Sequence, residues 1–155
     1  MTNMPKQLHL FLSYAHEDEA MKNQLDKHLV MLKRSGKVQV WQDRQIMAGQ
    51  EWDTVILNEL QEADIILLLI SVDFNNSQYI WDKELKIAIE RHDAGTARVI
   101  PIVLRPCEWS EMPYAKLQAL PTGAVPVSTF ENPDLAYTEI AKQIRGVVDY
   151  LGVPE

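Results

Sequence analysis

Residues 77–93, SQYIWDKELKIAIERHD, contain one carboxylate whose neighbours set it apart. On a helix the side chain at position 84 faces positions three and four away, and these are Ile80, Trp81, Ile87 and Ala88, all apolar. The acids beside it differ. Asp82 has Lys86 four residues ahead and Glu90 has Lys86 four behind, so both have a solvent-side partner on their own helix. Glu84 has no such partner there. A carboxylate in an apolar stripe loses hydration unless it gains partners elsewhere in the fold. That leaves two readings open: a group held for binding or catalysis, or a core-edge glutamate bonded to a neighbouring loop.

Other chemistries find less support. Residues 13–18, SYAHED, contain no glycine, whereas nucleotide cradles cluster glycines at the first strand-to-helix turn, which argues against a Rossmann dehydrogenase or a P-loop enzyme. Glu17 and Asp18 resemble the acidic pocket of a phospho-receiver. Against that reading, the third strand ends in Ser71 rather than aspartate, and the fifth strand ends without a lysine. His9, His16, His28 and His92 show no metal-ligand spacing, and no Ser or Cys sits on a nucleophile elbow. Neither a metal nor another cofactor is expected. Tryptophans more often pack cores and edges than hold ligands; of the four here, Trp41 and Trp81 are the two expected near a site.

The elements that must position Glu84 follow from hydrophobic patterning. Residues 8–14 (LHLFLSY) read as a strand, and Glu17, Asp18 and Glu19 suit the positive end of the helix that follows. In that helix Met21, Leu25, Leu29 and Leu32 form one apolar stripe, with Gly36 as a stop. Val38, Val40 and Trp41 mark a second strand, and DRQIMAGQ a loop. A helix carrying Trp52, Val55, Ile56, Leu60 and Ala63 precedes IILLLIS, whose unbroken apolar run predicts the central parallel strand. SQYIWDKELKIAIERHD reads as a third helix, RVIPIVL as a fourth strand, AVPVS as a fifth, and PDLAYTEIAKQIRGVVDYLG as a closing helix.

Strands alternating with helices predict an α/β fold of the flavodoxin-like, doubly wound class: a five-stranded parallel sheet with helices on both faces. In strand order 2-1-3-4-5 a ligand crevice lies between strands one and three, beyond their carboxyl ends. It would be lined by residues 13–18, by the loop at 43–49, and by the segment leading to Glu84.

Length and charge bound the remainder. The 155 residues, 46% hydrophobic, match a single domain over 1–155 with its core at about 8–151, either stand-alone or the N-terminal module of a longer protein. A net charge of −7 opposes binding to phosphate backbones, so nucleic acid is not an expected partner. The single cysteine, Cys107, excludes an intrachain disulfide, and the N-terminal apolar run is too short for a signal peptide or membrane span. A cytoplasmic location without membrane contact is expected.

FLSYAHED, WQDRQIMAGQEW, ADIILLLIS and SQYIWDKE, in that order and spacing, resemble the Toll/interleukin receptor (TIR) family, as does the later RPCEWSEMPYAKLQALP. The similarity extends over about residues 8–151. It implies either cleavage of NAD+ at the nicotinamide–ribose bond or a non-enzymatic scaffold that pairs with other such domains. In enzymatic relatives the catalytic acid is a glutamate on the helix after strand three, which matches Glu84. By the same resemblance Ser13, Tyr14 and His16 form a pocket wall, Asp43, Arg44 and Gly49 belong to a gating loop, and Trp41 and Trp81 contribute to substrate binding. Two departures stand out: Ala48 replaces a frequent proline before the glycine, and Trp81 precedes Glu84 by three residues where some relatives have four. The family further implies self-association in open assemblies, a fused or partner sensor domain, and a role in bacterial immune signalling. A pathogen effector mimicking host TIR domains would need secretion signals not visible here.

Overall fold

The structure, a computed structural model, describes residues 7–41 and 48–152. Among these, four parallel strands form the sheet: β1 (Leu8–Ser13), β2 (Val38–Trp41), β3 (Ile65–Ile70) and β4 (Arg98–Val103), in the order β2-β1-β3-β4. Every residue of β3 is buried, because β1 pairs on one side (Ser13↔Leu68) and β4 on the other (Ile70↔Val103) while helices cover both faces. An unbroken apolar run is what such a position requires.

Alternation along the strands divides the core in two. Leu10, Leu12, Ile65, Leu67, Leu69, Ile100 and Ile102 pack against α1 (Glu19–His28) and α6 (Pro133–Leu151). Phe11, Ile66, Leu68, Ile70 and Val99 pack against α3 (Trp52–Glu62), α4 (Val72–Asn76) and α5 (Lys86–Asp93). The first helix departs from its expected course at Leu29, whose ψ of 7° ends α1 and starts the short α2 (Val30–Arg34). Gly36, at φ 76°, then turns the chain into β2.

The expected fifth strand is absent from the described residues. The segment AVPVS lies in two 3₁₀ turns, Thr122–Ala124 and Val127–Thr129. Gly123 and Ala124 both have positive φ, which breaks an extended course, and Pro126 has no N–H to offer a ladder. The edge of β4 is instead met by one residue: Leu120 N–H donates to Pro101 O and Val103 N–H to Leu120 O, each at 2.9 Å. Pro101 likewise has no edge N–H with which to bind a longer strand.

Arg91 ties α5 to the end of α3. Its guanidinium donates to Leu60 O at 2.7 Å, to Ala63 O, and to Thr96 O at 2.7 Å. Arg91→Ala removes the donor to the carbonyls of Leu60 and Ala63 at the end of α3. The loss is expected to cost about 2 kcal/mol, read as a lower urea midpoint at unchanged slope.

Candidate functional site

Ser13 closes β1 and Ser71 follows β3, so the chain turns away from the sheet at adjacent carboxyl ends in opposite directions. A cavity of about 600 Å³ opens there, within the range of small-ligand sites. Its walls come from three places: Tyr14, Ala15, His16 and Glu17 after β1; Trp52 and Ile56 on α3; and Asp73, Asn76, Ser77, Tyr79, Ile80 and Glu84 after β3.

Glu84 is 7% exposed, and that opening is to the cavity. The fully buried Ser13 donates its hydroxyl to Glu84 Oε1 at 2.9 Å, which fixes the carboxylate's orientation. The local backbone is not α-helical: Ile80–Leu85 forms a π-helical turn before α5 begins. Such a turn inserts one residue, shifts the face on which later side chains lie, and is frequent at functional sites. It brings Tyr79, five residues earlier, into the same cavity as Glu84.

The segments carrying the two walls are locked beneath the cavity. Asp18, 2% exposed, accepts from Arg105 Nε at 2.9 Å and Nη2 at 2.8 Å and from the Ser71 hydroxyl. Ser71 Oγ in turn accepts from Phe74 N at 3.1 Å, capping α4, and Arg105 also pairs with Asp73. Burial lowers the Arg105 pKa, but the carboxylates of Asp73 and Asp18 outweigh it and hold the guanidinium more firmly charged. Asp18, which gave the sequence its phospho-receiver look, is therefore enclosed by structural partners.

The remaining expected site residues separate. Tyr14 and His16 line the cavity. Trp41 stacks on Phe11, centroids 5.3 Å apart, and Trp81, 39% exposed, donates its indole N–H to Asn75 O at 2.6 Å; neither is among the lining residues. Gly49 adopts φ 87° and stands outside the lining. Asp43 and Arg44 lie outside the described residues. In place of Trp41 and Trp81 the cavity has Trp52, 55% exposed, with its ring 5.1 Å from that of Tyr79 and tilted by 48°. Its position as the first residue of the helix after the loop was the available sequence signal.

Tyr79 donates to Asp53 Oδ1 at 3.0 Å. Its pKa is pushed well above the ordinary phenol value, first by burial, then by the hydrogen bond to Asp53 and the negative charge of Glu84. Two deeper phenols behave alike: burial raises Tyr114 against an opposing bond to Asn75, and burial with the nearby Asp134 pushes Tyr137 up to about 12. Folded, these groups keep protons that the unfolded chain releases near pH 10. Their contribution is therefore fully present below about pH 10 and lost as pH climbs through the folded values, at about 1.4 kcal/mol per pH unit for each of Tyr114 and Tyr137. Melts between about pH 9 and about pH 12 should show this decline, and a flat profile would contradict it.

Among the described residues, no group of three His, Cys, Asp or Glu side chains could hold a metal ion. No helix among them is long and apolar enough to cross a membrane.

A parallel α/β domain with a buried carboxylate at the sheet's switch point defines the class. Its family follows from comparison: residues 10–139 match the model described as TIR domain, and the chain belongs to that family. It is 44% identical over 136 residues to the uncharacterized protein y4lF of Sinorhizobium fredii, covering 88% of this chain and 42% of that one, so the chain spans under half of that relative's length. Its fold is similar to the crystal structure of the TIR domain of the Toll-related receptor TRR-2 from Hydra magnipapillata, with a TM-score of 0.59, 19% identity, and coverage of 88% of this chain and 97% of the other.

Proposed function

We propose that this TIR domain is an NAD+ glycohydrolase, cleaving the nicotinamide–ribose bond with Glu84 as its catalytic carboxylate. The observation that carries the reading is a nearly buried carboxylate, oriented by Ser13, at the wall of a cavity large enough for part of a dinucleotide. A single carboxylate suffices for this bond. Nicotinamide leaves from a positively charged nitrogen and needs no proton from the enzyme, whereas ordinary glycosides need a second group as acid. As the bond breaks, its electron pair neutralises the ring nitrogen and positive charge develops on the ribose. Glu84 stabilises that charge and holds the ribose hydroxyls. Water adding to the anomeric carbon, with loss of one proton, gives ADP-ribose; attack by the adenine of the same molecule, likewise with loss of one proton, gives a cyclic ADP-ribose.

The aromatic side chains fit the spectator parts of such a substrate. Trp52 presents an exposed indole at the cavity mouth, suited to a flat heterocycle, and Tyr14 and His16 form the opposite wall. From the family resemblance alone, Asp43, Arg44, Gly49, Trp41 and Trp81 are proposed as further substrate-binding residues. Activation by head-to-tail assembly agrees with heterologous contacts, which extend into open strips. We place this activity in the cytoplasm, in bacterial immune signalling, with the chain acting as one domain coupled to a sensor, and without nucleic acid, membrane or a separate cofactor.

The exposed Trp52, Val72 and Trp81 favour a second reading, an interaction scaffold using the same mouth as a docking surface. NAD+ turnover by the purified chain, at high concentration with a crowding agent and chromatographic separation of products, distinguishes the two. Release of nicotinamide supports the hydrolase. No turnover under any assembled condition moves the reading to the scaffold.

A further inference from the structure

Three observations meet in the cavity that Glu84 lines. Trp52 and Asp53 occupy the first turn of α3, directly after the loop whose last described residues are 48–51. Glu51, just before that turn, accepts from the Thr54 hydroxyl at 3.3 Å. Tyr79 reaches across from the segment that carries Glu84, its hydroxyl on Asp53 and its ring against Trp52. Tyr79 and Trp52 both line the cavity, so one side chain joins the aromatic wall to the wall that bears the carboxylate.

We infer that Tyr79 is a positioning residue: its hydroxyl, anchored on Asp53, fixes the distance between the Trp52 indole and Glu84, and so sets how tightly the site holds the non-reacting heterocycle of its dinucleotide. The inference rests on the hydrolase reading and deepens it. Burial and two neighbouring carboxylates keep the phenol protonated, so it remains a donor to Asp53 throughout the neutral range. Trp52 is more than half exposed, and its ring contact with Tyr79, together with the bond from Tyr79 to Asp53, ties the start of α3 to the segment that carries Glu84. Removing that hydrogen bond loosens the link between the two walls of the pocket, even though the ring contact survives.

Tyr79→Phe removes only the oxygen. It is expected to raise KM for NAD+ about ten-fold with kcat little changed, since the lost interaction bears equally on bound substrate and transition state. Asp53→Ala should give the same phenotype, and the double variant no more than either alone, because one bond is removed in all three. Asp53→Asn keeps an acceptor oxygen and should restore the wild-type KM. A merely structural bond would lower the melting temperature and active fraction in all variants without a selective change in KM. If Tyr79→Phe does not fold, the Asp53 pair tests the same bond from its other end. Wild-type turnover with unchanged KM in Tyr79→Phe and Asp53→Ala overturns this inference alone. A wild type that neither binds nor consumes NAD+ overturns it together with the hydrolase reading.

Discussion

Glu84→Gln is expected to abolish NAD+ cleavage, by about a thousand-fold or more, while the chain stays folded. Glutamine keeps the side chain's size and an oxygen to accept from Ser13, so the Ser13 contact at 2.9 Å has a replacement. Only the charge goes. In the proposed reaction that charge faces a developing oxocarbenium ion, and such electrostatic stabilisation is usually the largest single contribution to catalysis. The stability readout separates this from a structural role. A carboxylate kept 7% exposed for chemistry is a burden on folding, and neutralising it should leave the urea midpoint unchanged or raise it. A core-edge glutamate held for structure predicts the reverse: a lower midpoint and no selective loss of turnover. Glu84→Ala should match Glu84→Gln in activity and be the less stable of the two, since it also removes the partner of the buried Ser13.

The second large effect belongs to the ion pair beneath the cavity, and it is asymmetric. Arg105→Leu leaves the Asp18 carboxylate 2% exposed with the Ser71 hydroxyl but without the guanidinium that pairs with it, and is expected to cost about 3–5 kcal/mol. That is a large share of the roughly 5–15 kcal/mol that holds a domain folded. Asp18→Ala should cost less, about 1–3 kcal/mol, because the Arg105 side chain is 32% exposed and retains Asp73. Combining Asp18→Ala with Arg105→Leu removes both charges, and the double variant should be more stable than Arg105→Leu alone. Urea denaturation of the three chains decides it, and strict additivity would show that the charges are not coupled. The same pair holds the turn after β1 to the ends of β3 and β4, so the single variants should also loosen the wall that carries Tyr14 and His16.

Much of this molecule is local in origin and legible from composition. The unbroken run at residues 65–70 has no polar face to offer water, which specifies a strand covered on both sides, and β3 is that strand. Alternation of such strands with amphipathic helices fixed the doubly wound class, and the switch point between β1 and β3 follows from the strand order. Glu84 was visible because its helical neighbours carry no compensating charge, a statement about residues within four positions of it.

What tertiary structure decided is what depends on contacts far apart in sequence or on a backbone that leaves the standard period. Glu84 accepts from Ser13, 71 residues away, and no spacing rule connects the two. The π-helical turn at Ile80–Leu85 adds one residue to a helix, so α-helical counting misplaces side chains across it: Trp81 bonds to Asn75, and Tyr79 enters the cavity. Trp52 joins the site because α3 starts against Tyr79, whereas the strand tryptophan Trp41 is taken by Phe11. The fifth strand shows the same limit from the other direction. AVPVS has the apolar content of a strand, but an edge ladder needs N–H groups in register, and prolines at 101 and 126 with positive φ at Gly123 and Ala124 leave a single bridge where a strand was expected. Hydrophobic pattern, being local, determined the layers; the site depended on which distant surfaces those layers brought within hydrogen-bonding distance.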